Sequence, residues 1–134
     1  MADNTTGAEL GIIQIESKNL KNIDNFLKGD ENITSVKCPF PYVTSAVSAF
    51  ENCINLKSFE GDLNSLTDGN HMFGGCEKLE TFTGKLPNLS IGNNMFYHTN
   101  LSEFTEDLPL LQDGTEMFRE CKNLSNVNFK STNL

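Results

Sequence analysis

The sequence repeats itself, and the repeat leaves few folds open. Leu56, Leu79, Leu101 and Leu124 stand 23, 22 and 23 residues apart, and two steps of 23 back along the chain reach Ile33 and Leu10, both aliphatic. Counted from these anchors, apolar residues recur in fixed columns. Three positions on come Ile13, Val36, Phe59, Phe82, Phe104 and Val127; ten on come Leu20, Val43, Leu66, Leu89, Leu111 and Leu134. Seventeen on come Leu27, Phe50, Phe73, Phe96 and Phe118, each preceded by Phe26, Ala49, Met72, Met95 or Met117. The column at seven holds Phe40, Leu63, Leu86 and Leu108, with Ser17 and Ser131 breaking it at the two ends. Eight of the ten phenylalanines fall in three of these columns. A unit this short has no core of its own, so successive units must stack and share one.

The spacing therefore predicts a solenoid of about six coils of 22–23 residues over residues 10–134, its last coil incomplete, behind a short polar leader at 1–9. At the usual strand separation such a stack is about 25–30 Å long. From anchor to position seven, segments such as LKSFEGDL and LETFTGKL alternate at period two and read as short parallel strands. Gly61 and Gly84 stand at position five, where a side chain of no size leaves room for the rings of Phe59 and Phe82. Gly69, Gly92 and Gly114, inside TDGN, IGNN and QDGT, read as turns in which Gly and Asn accept positive φ. HMFGGC, NMFYHT and EMFREC read as one helical or 3₁₀ turn on the opposite side, which makes the expected class α/β.

HMFGGCEKLETF and EMFRECKNLSNV resemble the BspA-type bacterial leucine-rich repeat, and SAFENCINLKSF resembles its close relative, the treponemal-type 23-residue repeat with its Ala-Phe-x-x-Cys signature. The resemblance runs from about Leu10 to the end and is strongest in the middle four coils. The chain departs from it at position five, where Gly61, Gly84 and Glu106 replace an apolar residue. The resemblance implies a curved leucine-rich-repeat solenoid, with strands on the concave face and turns or short helical turns on the convex face. It also implies protein or carbohydrate binding, as in surface adhesins, protist proteins and proteins of gut bacteria and their phages. It brings no catalytic residues.

Charge narrows the partners. A formal net charge of −8 disfavours nucleic acid, which needs a dense Lys/Arg surface, and disfavours anionic lipid equally. The start, MADNTTGAELGIIQIES, has neither the basic opening nor the apolar run of a signal peptide, and no apolar run is long enough to span a membrane. The expectation is a chain that is cytoplasmic as synthesised or virion-associated, with reduced thiols. Sequons such as Asn88-Leu-Ser and Asn100-Leu-Ser follow from the repeat itself.

Each candidate for chemistry has a plainer reading. Cys53, Cys76 and Cys121 share a column with Thr99; stacking allows a Cys53–Cys76 disulfide, but a buried thiol is the stronger reading. Cys38 lies outside that column and reads as core. His71 and His98 have no nearby Ser or Cys in a motif that would activate a nucleophile, and they read as surface or turn residues. Glu103, Glu106, Asp107, Asp113 and Glu116 read as a solvated acidic face, because the nearby QDGT is too short for a calcium loop. No phosphate-binding loop is present in the sequence, and no cofactor or metal is expected. What remains is the polar strip facing away from the core: Lys57, Glu60, Glu80, Thr83, Glu103, Thr105, Asn126 and Asn128. That strip is the expected binding surface of a non-enzymatic module that recognises a protein or glycan. The alternative is a structural component of a larger assembly, such as a virion or surface appendage. Its neighbouring subunits would cover the uncapped coils expected at Leu10 and Leu134, whose strand edges would otherwise template association.

Overall fold

A computed structural model describes residues 12–13 and 20–131. Six short strands follow one another, one per coil: β1 (Ile12–Ile13), β2 (Ser35–Pro39), β3 (Ser58–Asp62), β4 (Thr81–Thr83), β5 (Glu103–Phe104) and β6 (Asn126–Val127). Every pairing is parallel and follows the repeat. Val36 pairs with Phe59 and Phe59 with Phe82, each 23 residues on, and Phe104 pairs with Val127. The strands form two sheets, β1-β2-β3-β4 and β5-β6, and the break between them falls in the one 22-residue interval. The polar leader expected at 1–9, the first anchor Leu10, Ser17 and Leu134 lie outside the described residues.

The columns become the core. Phe50, Phe73, Phe96 and Phe118 stack face to face with centroids 5.5–5.7 Å apart and planes within 5–10° of parallel. Beside them Phe59, Phe82 and Phe104 form a second stack at 5.6 and 6.1 Å. Rings of the two stacks meet edge-on or tilted, as Phe59–Phe73 at 4.9 Å and Phe82–Phe96 at 5.0 Å, which suits the ring quadrupole. Each such pair contributes about 0.5–1.5 kcal/mol beyond its buried area. The anchors Ile33, Leu56, Leu79 and Leu101, and Met72 and Met95, are fully buried around the stacks. Leu20 and Val127, expected in core columns, are instead 38% and 47% exposed.

The side opposite the strands corrects the expected class. No helix forms among the described residues, so the regular structure there is β and turns rather than α/β. The reason is where the backbone donors go. Ile23, Asn25, Leu27 and Gly29 donate their N–H groups to Ser45, Val47, Ala49 and Glu51 of the next coil at 2.7–2.9 Å. The residues between them, Phe26, Lys28 and Asp30, donate to carbonyls three positions back at 3.0–3.4 Å. A helix would keep every donor within its own segment; here alternate donors stitch coil to coil.

That alternation needs two left-handed residues per coil. They stand fifteen and nineteen positions from the anchor: Asn25 and Gly29, Ser48 and Asn52, His71 and Gly75, Asn94 and His98, Glu116 and Glu120, with φ between 54° and 79°. Gly69, Gly92 and Gly114, expected to hold this role, do not. They are glycine for space: a Cβ on Gly69 would stand 3.0 Å from Met95 Sδ, and one on Gly114 would stand 3.0 Å from Leu111 Cδ2. The reading holds at Gly61, whereas at Gly84 the neighbouring backbone rather than the ring crowds the position. A Cβ on Gly61 would lie 2.9 Å from Phe59 Cζ and one on Gly84 3.4 Å from Phe82 Cζ. It would also stand 2.6 Å from the Cys38 carbonyl oxygen at Gly61, and 2.9 Å from that of Gly61 at Gly84.

Candidate functional site

Strand alternation decides what the strand face offers. In β2 and β3 positions three, five and seven point inward and positions two, four and six point out; Glu106, at position five of the fifth coil, departs from this and lines the outer face. Position four carries Lys37, Glu60, Thr83, Thr105 and Asn128, all exposed. Position six carries Pro39, Asp62, Lys85 and Asp107. Between these rows lies only the backbone of position five, which is Gly61 in β3 and Gly84 just past β4. The result is a trough of about 580 Å³ running across the strands. Its walls are Lys37, Glu60 and Thr83 on one side and Pro39, Asp62 and Lys85 on the other, and Glu106 closes one end.

The trough is charged, and its charges are largely matched. Lys37 Nζ lies 3.4 Å from Glu60 Oε2, and Lys85 Nζ lies 3.8 Å from Glu106 Oε2. Asp62 accepts the Asn64 amide at 3.0 Å, which fixes the turn at the end of β3. Exposed pairs of this kind contribute under about 1 kcal/mol and are readily exchanged for a ligand's groups. A smaller hollow of about 240 Å³ adjoins, lined by Lys85, Pro87, Thr105, Glu106 and Asp107.

All eight residues expected to form the binding strip are exposed, but they do not form one surface. Glu60 and Thr83 line the trough and Thr105 the adjoining hollow. Glu103 and Asn126 pair with each other one row away, at position two. Asn128 continues the position-four row past the hollow. Lys57 and Glu80 precede β3 and β4, where their backbone joins the coils: the Glu80 amide donates to the Lys57 carbonyl at 2.8 Å. The opposite wall, Pro39, Asp62 and Lys85, was missed. Its signal is the bare glycine at position five, with the next residue out lying on the same face as position four.

A second hollow of about 500 Å³, lined by Ser65, Thr67, Asn88, Ser90, Leu110 and Gln112, lies on the segments between the strands and the turns, while the turn side chains serve the coils. The Asn70 side-chain oxygen accepts the Asn93 amide, and that of Asn93 accepts the Thr115 amide, both at 2.9 Å. His71 and His98 are two of the left-handed residues. Of the five acids read as a solvated face, Glu106 alone reaches the trough.

The repeat pattern decides the relationship. The family model described as BspA type leucine rich repeat region matches residues 48–134, in six copies. The chain belongs to the BspA-type leucine-rich-repeat family. Among solved structures, a leucine-rich repeat protein from Bacteroides ovatus superposes with a TM-score of 0.71 at 23% identity, covering 87% of this chain and 33% of that one. A leucine rich cell surface protein from Faecalibacterium prausnitzii gives a TM-score of 0.42 at 19% identity, covering 91% of this chain and 48% of that one. The first likeness is one of fold, and the chain spans about a third of the length of that protein. No curated protein matches the sequence.

In this BspA-type chain the cysteine column has a definite task. None of the four cysteines is in a disulfide. Cys53 donates its S–H to the Leu27 carbonyl at 3.1 Å, Cys76 to Phe50 at 3.1 Å and Cys121 to Phe96 at 2.9 Å. Each thiol thus bonds the coil before its own while filling core space. Thr99, the substitute, lies 3.3 Å from the Cys121 sulfur. Burial pushes the Cys53 thiol up to about 12 and raises Cys76 as well, so both stay protonated and unreactive at neutral pH.

Proposed function

We propose that this leucine-rich-repeat region is a non-enzymatic recognition module that binds a protein or glycan along the strand-face trough. One observation carries the reading. Two glycines leave a bare backbone floor between Lys37, Glu60 and Thr83 on one side and Pro39, Asp62 and Lys85 on the other, on the face where the strands pair in register. Regular strands hold such rows at fixed spacing, which is what recognition of an extended ligand requires. The thiols and histidines are absorbed by packing and turns, whereas the ion pairs along the trough can be exchanged for a ligand's groups. Among the described residues no helix is long and apolar enough to cross a membrane.

The test is a screen of the purified chain against a glycan array and a displayed peptide library, followed by variants. A genuine ligand is expected to lose at least about tenfold in affinity on the double change Asp62→Ala and Lys85→Ala. The same ligand should tolerate Lys57→Ala and Glu80→Ala. A ligand that ignores the first pair while both proteins remain folded overturns the trough as the site.

A further inference from the structure

The interval between Leu79 and Leu101 is one residue short, and the missing residue can be placed. Three coils read Cys-x-x-Leu, closed by the bonds from Leu56 to Cys53, Leu79 to Cys76 and Leu124 to Cys121 at 3.0–3.2 Å. The fourth reads Thr99-Asn100-Leu101, too short for that turn, and the Asn100 amide instead donates to the Leu79 carbonyl at 3.0 Å. The deletion leaves the turn side untouched. Gly92, Asn94, Phe96 and His98 still donate to Asp113, Thr115, Met117 and Arg119 at 2.8–3.0 Å.

The strand side absorbs it. In the intact ladder the Thr81 amide donates to Lys57, and the Asn126 and Asn128 amides to Ser102 and Phe104, at 3.0–3.3 Å. The equivalent amides of Glu103 and Thr105 make no such bond to β4 among the described residues. The rings record the same asymmetry. Phe82 and Phe104 spread to 6.1 Å and fan by 23°, against 5.6 Å and 9° for Phe59–Phe82. On the turn side Phe96 and Phe118 stay at 5.7 Å and 5°. Among the described residues the Lys85–Glu106 ion pair, an exposed lysine on a half-buried glutamate, spans the gap above the rings.

We propose that the stack flexes at this break. The continuous turn ladder is the axis, and the strand faces of β2–β4 and of β5–β6 are two plates that open and close the end of the trough at Lys85 and Glu106. The motion costs little because no ladder bond has to break, and the ring stacks slide rather than separate.

Amide exchange on the unmodified chain is the first test. The Glu103 and Thr105 amides should exchange at least about tenfold faster than those of Thr83 and Asn128; equal protection overturns the proposal. Residual dipolar couplings are the second. Couplings from residues 33–98 and from residues 102–130 should require two alignment tensors, and a single tensor fitting both overturns it. One residue inserted between Thr99 and Asn100 restores the 23-residue spacing. That variant should regain protection at Glu103 and Thr105 and fit one tensor. A folded insertion variant that exchanges and aligns like the parent also overturns it.

Discussion

A methyl group on Gly61 would press on the Cys38 carbonyl at 2.6 Å and on the Phe59 ring at 2.9 Å, and neither can yield without moving a coil. Gly61→Ala is expected to cost about 1–3 kcal/mol, read from urea unfolding. Gly69→Ala meets the flexible ends of Met95 and Leu89 at 3.0–3.3 Å, and Ala46 already fills the same column one coil earlier. That change should cost less than about 1 kcal/mol. The contrast shows what a single residue discloses in sequence. The need for Gly61 was readable because a phenylalanine two positions away faces the same core. The need for Gly69 was misread because its crowding partner lies in the next coil, while the string around it spells a turn. The buried thiols make a second residue-scale expectation. Burial raises the folded pKa of Cys53 above its unfolded value, so its contribution to stability is complete below the ordinary thiol pKa. It declines as pH rises beyond about 8.5 toward the folded value. Unfolding midpoints should fall steadily above that pH, and Cys53 and Cys76 should react with a thiol reagent only as fast as the protein opens.

Strands and turns were unequally legible. The period fixes which residues face one another, so the parallel register of β2, β3 and β4 followed from spacing alone. It does not fix where a backbone donor goes. The HMFGGC-type segment reads as one helical or 3₁₀ turn; half its donors do bond three positions back, but the other half leave for the next coil. The same blindness placed Lys57 and Glu80 on the strand face, since the anchor frame does not say at which residue a strand begins. The left-handed positions offer a direct measurement. A Cβ on Gly29 would meet nothing within 4 Å, so Gly29→Ala isolates the conformational cost and should destabilise by about 1–2 kcal/mol. Glu120, exposed and at φ 62°, runs the comparison backwards. Glu120→Gly should gain about 0.5–1 kcal/mol in the same assay.

Across the whole molecule the core is a pair of zipped ring stacks, and stability is shared along them rather than centred. Phe73 touches Phe50, Phe59, Phe82 and Phe96, all within 5.6 Å. Phe73→Ala should cost about 3–5 kcal/mol. Because coils couple only to their neighbours, it should also split thermal unfolding into two calorimetric steps. Half-buried Phe26, with Phe50 as its one ring neighbour at 6.4 Å, should cost less than about 2 kcal/mol on removal and leave a single step. The alternating donors of the turn side carry a consequence for how such a chain changes over generations. Each turn is completed by the one that follows, and the pattern is identical at every step. Duplication or loss of one whole 23-residue unit therefore leaves every bond with an equivalent partner. Gain or loss of a single residue breaks that equivalence, and in this chain the one short interval places it between the cysteine column and the anchor, at Thr99 and Leu101. Length is thus free to drift in whole coils, while the composition of a coil stays under constraint.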